Sequence, residues 1–218
     1  MQIQKRWWVV ALFGVIAASA VQAAPVIDNE RVTVWDIKLA PGESGPATPQ
    51  DQDAVILIVE GGEFRTRDRR GHTRVVTRNF GDGIFVPKGT DAVDTLVAGA
   101  PAHEVLIALK NYPRQPLASS AKYPTAFPRI GAVKVLETPR VILWNYHWTR
   151  ERPTPMHIHD KDFVVAFRDD SSQVIVEPGG GSHINQVKAG EIMFFKRGLT
   201  HSEGVLSEHQ SAVYMELK

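Results

Sequence analysis

Short β-branched runs recur along the chain from Val32 onward. Val32-Thr33-Val34-Trp35-Asp36-Ile37, Ala54-Val55-Ile56-Leu57-Ile58-Val59, Ile84-Phe85-Val86 and Val105-Leu106-Ile107-Ala108-Leu109 are strand-length, and Gly, Pro, Asp and Asn separate them. No stretch carries a helical stripe of useful length. Many short strands at close spacing predict an all-β sandwich or barrel. The first 23 residues break the pattern. Lys5-Arg6 precede an apolar run from Trp7 to Ala18, and Val21-Gln22-Ala23 fits a small-x-Ala cleavage site. Residues 1–23 are therefore expected to be a signal peptide. The run falls short of the about 20 apolar residues of a spanning helix. The mature chain is expected to be periplasmic or secreted, with no membrane anchor after cleavage.

The strand pattern also repeats. Arg31-Val32-Thr33-Val34-Trp35 returns as Arg140-Val141-Ile142-Leu143-Trp144, 109 residues later. At the same offset Gly81, Phe85 and Gly89 return as Gly190, Phe194 and Gly198, and Asp53 returns as Asp162. A period this long is not a solenoid. It predicts two β domains, 24–112 and 132–218. The joint, 113–131, carries Pro113, Pro116, Pro124 and Pro128 and reads as a linker or ordered connector.

The candidate chemistry sits in the second half. His157 and His159 are two residues apart in Pro155-Met156-His157-Ile158-His159. On a strand such residues share a face, with alpha carbons roughly 6.5–7 Å apart, so two imidazoles can grip one metal ion. His201 follows Gly198 in a later strand-like segment and is the third candidate ligand. Carried back by the offset, the three positions fall on Thr48, Gln50 and Ala92. The first half keeps the frame without the ligands, so the frame does not need them.

Glu203 shares the face of His201 if that strand runs on. It is a candidate fourth ligand, general base or support for a ligand; the other reading is a rim carboxylate. Trp144, Tyr146 and Trp148 alternate on one face. Core packing is the first reading, since Trp35 matches Trp144. Tyr146 and Trp148 replace Ile37 and Leu39, which makes Tyr146 a second candidate base. Asp160 and Asp162 are candidates to accept the far N–H of a ligand histidine. Asp53 stands at the place of Asp162 in the half without histidines, which suggests a turn role instead.

Composition removes other classes. There is no cysteine, so there is no disulfide, thiolate metal site or cysteine nucleophile. The chain has 25 basic and 24 acidic residues; without Lys5 and Arg6 the balance is 23 against 24. That is no footprint for nucleic acid or an anionic membrane. Arg65, Arg67, Arg69, Arg70 and Arg74 are expected on the exposed face of a hairpin.

With His157-Ile158-His159 as one motif and Gly190, Gly198 and His201 as another, the sequence resembles the cupin family, and within it a two-domain bicupin. The resemblance implies two tandem cupin barrels (double-stranded β-helix, or jelly roll), a degenerate N-terminal one and a metal-binding C-terminal one. It implies a mononuclear divalent ion on His157, His159 and His201, with Fe(II), Zn, Ni and Mn undistinguished. Phe163 stands where the family places an acidic ligand, and Lys196 where it places a proline. The implied function is a metal-dependent, oxygenase-type enzyme on a small, anionic molecule, or a lyase or isomerase with Glu203 or Tyr146 as base. The alternative is a non-catalytic periplasmic cupin binding a small molecule or carbohydrate. A homodimer paired across sheet edges is a further expectation.

Overall fold

A computed structural model describes residues 24–67, 70–90, 93–113 and 115–218. The expected signal peptide, Arg69 and Ala92 lie outside the described residues. The described chain is all-β, with strands in antiparallel sheets. The first half contributes β1 (Ile27–Asp28), β2 (Val32–Leu39), β3 (Asp53–Glu60), β4 (Gly62–Arg67), β5 (Thr73–Arg78), β6 (Gly83–Val86), β7 (Val93–Ala98) and β8 (Ala102–Leu109). The second contributes β9 (Ala132–Glu137), β10 (Val141–Thr149), β11 (Thr154–Ile158), β12 (Asp162–Phe167), β13 (Ser171–Val176), β14 (Ser182–Val187), β15 (Ile192–Phe195), β16 (Thr200–Val205) and β17 (His209–Leu217).

Each half has its own pair of sheets. The first half orders them β1-β2-β8-β3-β6 and β5-β4-β7; the second, β9-β10-β17-β12-β15 and β11-β16-β13-β14. The two five-stranded sheets are apolar on both faces, which is why their strands read as continuous β-branched runs. In β3, Val55, Leu57 and Val59 face one way; Ala54, Ile56 and Ile58 face the other. In β12, Val164 and Ala166 face one way; Phe163, Val165 and Phe167 face the other. The first set of each strand joins a single cluster that spans both halves. The second sets fill two separate interiors, one per half.

The same bonds recur 109 residues apart. Gly81 N donates to Ile58 O and Gly190 N to Phe167 O; Gly89 N donates to Gln50 O and Gly198 N to His159 O. Gly81 (φ 85°) and Gly190 (φ 80°) need a left-handed backbone, and both press on the opposite half. A Cβ on Gly81 would lie 2.2 Å from Asn145 Nδ2, and one on Gly190 2.9 Å from His103 Cε1. Two ion pairs cross the seam in matching positions. Arg31 Nε lies 3.4 Å from Asp162, and Arg140 Nη1 lies 3.1 Å from Asp53. The carboxylates also brace turns as their repetition suggested: Asp53 accepts from Lys88 N and Asp162 from Arg197 N, each at 2.9 Å.

The interior of the first half holds a buried charge cluster. Arg78 Nη1 lies 2.5 Å from Asp94 and 3.0 Å from Glu104, with all three side chains under one-tenth exposed. Burial, opposed by Arg78 and reinforced by Asp94, pushes the Glu104 carboxyl up to about 7. The folded value lies above the ordinary 4.5. Its contribution to stability is therefore complete below about pH 4.5 and is lost as pH rises through about 7. The gap corresponds to about 3 kcal/mol. Chemical denaturation between pH 5 and pH 8 is expected to show stability falling with pH in the wild type, and a clearly flatter profile in Glu104→Gln. Equal slopes would remove Glu104 as the source.

Candidate metal centre

His157 lies on β11, the strand that gives the second half's smaller sheet its fourth member. The matching stretch of the first half forms no strand and shows only an isolated Ser44–Thr95 bridge. β11 pairs with β16, and His157 stands directly opposite His201. Between Thr154 and His157 the register slips by one residue, because Thr154 pairs with Glu203. Pro155 lacks the N–H for a regular ladder, and a bulge is where a strand tolerates that. The bulge turns the Pro155 carbonyl to accept a 2.8 Å hydrogen bond from His157 Nδ1. A carbonyl only accepts, so the proton sits on Nδ1 and the Nε2 lone pair is free.

The strand does not run on through His159, as the straight-strand expectation required. It ends at Ile158, and His159 opens the turn into β12. His159 is fixed instead by its backbone: its N–H donates to Leu199 O and its carbonyl accepts from Gly198 N, both at 2.8 Å. Its ring stacks on Phe163, with centroids 4.2 Å apart. Phe163 is therefore the platform for a candidate ligand.

The three imidazoles converge. Nε2 of His157 and Nε2 of His159 are 3.2 Å apart, and one nitrogen from each of the three rings lies within 4.8 Å of the others. Two nitrogens that share one ion at about 2.0–2.1 Å are separated by about 3.0–3.4 Å, so the spacing fits. His201 Nε2 is buried and has no hydrogen-bond partner, a cost that a cation removes. Burial, with Arg129 nearby, holds His157 down at about 3, His159 well below the ordinary histidine range, and His201 lowered as well. All three are therefore neutral donors at physiological pH.

In the first half the places matching His157 and His159 are hydrogen-bonded closed. Thr48 Oγ1 donates to Thr90 O at 3.0 Å, and Gln50 Nε2 reaches the same carbonyl at 3.2 Å.

Glu203 is 6% exposed and close to the triad, its Oε2 3.8 Å from His201 Nε2. Its other oxygen accepts from Arg129 Nη1 at 3.2 Å. Arg129 comes from the proline-rich joint, which packs as part of the second half. Thr125 bridges Ile158, Ala126 N donates to Ile158 O, and Phe127 is buried against Trp144 at 5.1 Å. The guanidinium lies over the rings of Phe127 and Tyr146, and its Nη2 is buried without a partner. Periodicity and motif spacing gave no signal for Arg129, because the joint has neither.

Tyr146 is buried in the same interior with Trp144 and Trp148, as the packing reading expected. Its hydroxyl shares a 2.7 Å hydrogen bond with Thr154, and the residue does not line the cavity beside the triad. Asp160 and Asp162 do not support the ligands. Asp160 is held by Lys161, and Asp162 by Arg31 and Arg197 N. The carbonyl of Pro155 takes the role considered for them.

A cavity of 440 Å³ opens beside His159, His201 and Glu203. Phe163, Val165 and Phe167 of β12 and Met193 and Phe195 of β15 form one wall; Gln173, Ile175 and Asn185 form another. Tyr214 reaches it from β17, and burial pushes its hydroxyl well above the ordinary range, so it stays a neutral donor.

No protein-family model matches the chain, and no curated protein matches it. Solved structures do. Bacillus subtilis oxalate decarboxylase, a protein with Mn(II) centres, superposes with a TM-score of 0.60 at 10% identity, covering 86% of this chain and 69% of its own. The Cupin 2 conserved barrel domain protein of Leptotrichia buccalis gives a TM-score of 0.55 at 12% identity, over 89% of this chain and 87% of its own. This chain has the cupin fold. Protein Ylba of E. coli is similar on the same scale, with a TM-score of 0.60 at 10% identity over 90% and 87%. Within that fold, His157, His159 and His201 form a cluster able to hold a metal ion.

Proposed function

We propose that the chain is an exported bicupin in which the second barrel holds one divalent metal ion on His157, His159 and His201 and acts as a metal-dependent enzyme on a small anionic molecule. The convergence of three neutral imidazoles, two of them lining one end of a largely apolar cavity, carries this reading. The two-barrel organisation is supported by the repeated sheets and bonds, and the degenerate first barrel by Thr48 and Gln50. Fe(II), Zn, Ni and Mn all suit imidazole donors. Mn has the further support of the oxalate decarboxylase likeness.

A bound ion would supply a Lewis acid that polarises and orients a substrate oxygen. The donor set is neutral, and the Glu203 and Arg129 charges cancel, so the site keeps the ion's positive charge and favours an anion. Glu203 is the candidate base: Arg129 fixes one of its oxygens and leaves the other facing the triad. Tyr214 donates a hydrogen bond from the opposite wall. Phe163, Phe167 and Phe195 exclude water.

A binding role without turnover is the second reading. It is favoured by the Glu203–Arg129 pair, which ties down the nearest carboxylate. Elemental analysis of the purified mature chain, followed by oxygen uptake with diketones, catechols and hydroxy acids, tests the enzyme. Metal-loaded protein inert to all of them would favour the binder. In any turnover assay so found, Glu203→Gln is expected to lower kcat by about 10²–10⁴-fold with metal content unchanged. An unchanged kcat would remove Glu203 as base.

A further inference from the structure

We infer, resting on the metal-site reading above, that the cavity takes an elongated ligand: a chelating oxygen pair at one end, a planar apolar body, and a polar substituent at the other end. Strand register sets the order of groups along the cavity. On β16, His201 stands opposite His157 of β11; on its other side, Glu203 stands opposite Ile175 and Val205 opposite Gln173, both of β13. Gln173 in turn pairs with Asn185 of β14. Each two-residue step advances about 6.6 Å, so the amide level lies about 13 Å along β16 from the histidine level.

Between these levels most of the wall is apolar, with Phe163, Val165, Phe167, Met193, Phe195 and Ile175 facing the space and Glu203 and His183 flanking Ile175. Its 440 Å³ falls within the about 300–1,000 Å³ of pockets that bury organic ligands. A two-carbon diacid would reach the metal end and leave these walls wet, forfeiting their burial. A planar body covers them. At the far level the amides form a chain. Asn185 Nδ2 donates to Gln173 Oε1 at 3.4 Å, and Gln173 Nε2 donates to the fully buried Gln210 Oε1 at 2.9 Å. Gln173 is thus used on both sides. The carbonyl of Asn185 takes no part in that chain and is the acceptor offered to a ligand hydroxyl or amine.

The test uses the full mature chain loaded with zinc, which binds without redox turnover, and calorimetry with glycolate, mandelate and 4-hydroxymandelate. The three share one chelating head and differ in body and far end. Mandelate is expected to bind at least ten-fold tighter than glycolate, and 4-hydroxymandelate at least three-fold tighter than mandelate. Asn185→Leu should erase the second gain and leave the first. Val165→Phe, which fills the cavity, should weaken mandelate about ten-fold and leave glycolate within two-fold. Zinc content is measured on every sample. Zinc bound at one per chain with mandelate no tighter than glycolate, or with neither bound, overturns the ligand class and leaves the metal site standing. No zinc retained by the wild type overturns the metal reading itself.

Discussion

Replacing His157 and His159 together by alanine is expected to take bound metal from about one ion per chain to less than about a tenth, read by elemental analysis after dialysis. Loss of a supporting group around a metal already costs about 10–100-fold in affinity, and loss of two of three direct ligands costs far more. The fold is expected to survive. The first half carries Thr48 and Gln50 at these places and, although it lacks a counterpart of β11, still forms both of its sheets, so the barrel frame does not depend on the histidines. Circular dichroism should therefore be unchanged while the metal disappears. Equally low metal in wild type and variant would refute the site.

Replacing Arg78 by methionine is expected to destabilise the chain by about 3–5 kcal/mol, because it leaves Asp94 and Glu104 buried without their cation. For a chain of this size that is a fall in Tm on the order of 10 °C. The cost should be smaller at pH 5 than at pH 8, because Glu104, pushed up to about 7 even beside Arg78, takes up its proton more readily once the cation is gone. A loss of similar size at pH 5 and pH 8 would assign it to packing on Phe64, over which the guanidinium lies, and not to charge. The cluster is remote from the three histidines in sequence and belongs to the other interior, so metal content should not change.

Much of the fold was legible because its physics is local. Runs such as Ala54–Val59 and Val105–Leu109 are strands, and both of their faces are buried, which a run without polar alternation announces. The offset of 109 was legible because repeated frames reuse residues with fixed tasks. Gly81 and Gly190 are needed where the turn adopts positive φ against the opposite half, and Asp53 and Asp162 where each braces a turn and crosses the seam. The three histidines were legible for the opposite reason: they are the residues that the repeat does not repeat. Asp160 misled because adjacency to a ligand says nothing about which way a side chain points once the strand has ended.

The sequence by itself determined the fold class, the repeat and the metal-ligand candidates, since strand periodicity, turn glycines and histidine spacing are properties of neighbours along the chain. Only the tertiary structure decided what surrounds them. The bulge at Pro155 sets the tautomer of His157, the strand pairing brings His201 opposite it, and the proline-rich joint delivers Arg129 to Glu203 from 74 residues away. The ordering of Glu203, Ile175, Gln173 and Asn185 along one cavity likewise exists only when three strands align. Those contacts join residues far apart in sequence, and their free energy appears only when the sheets have closed around them.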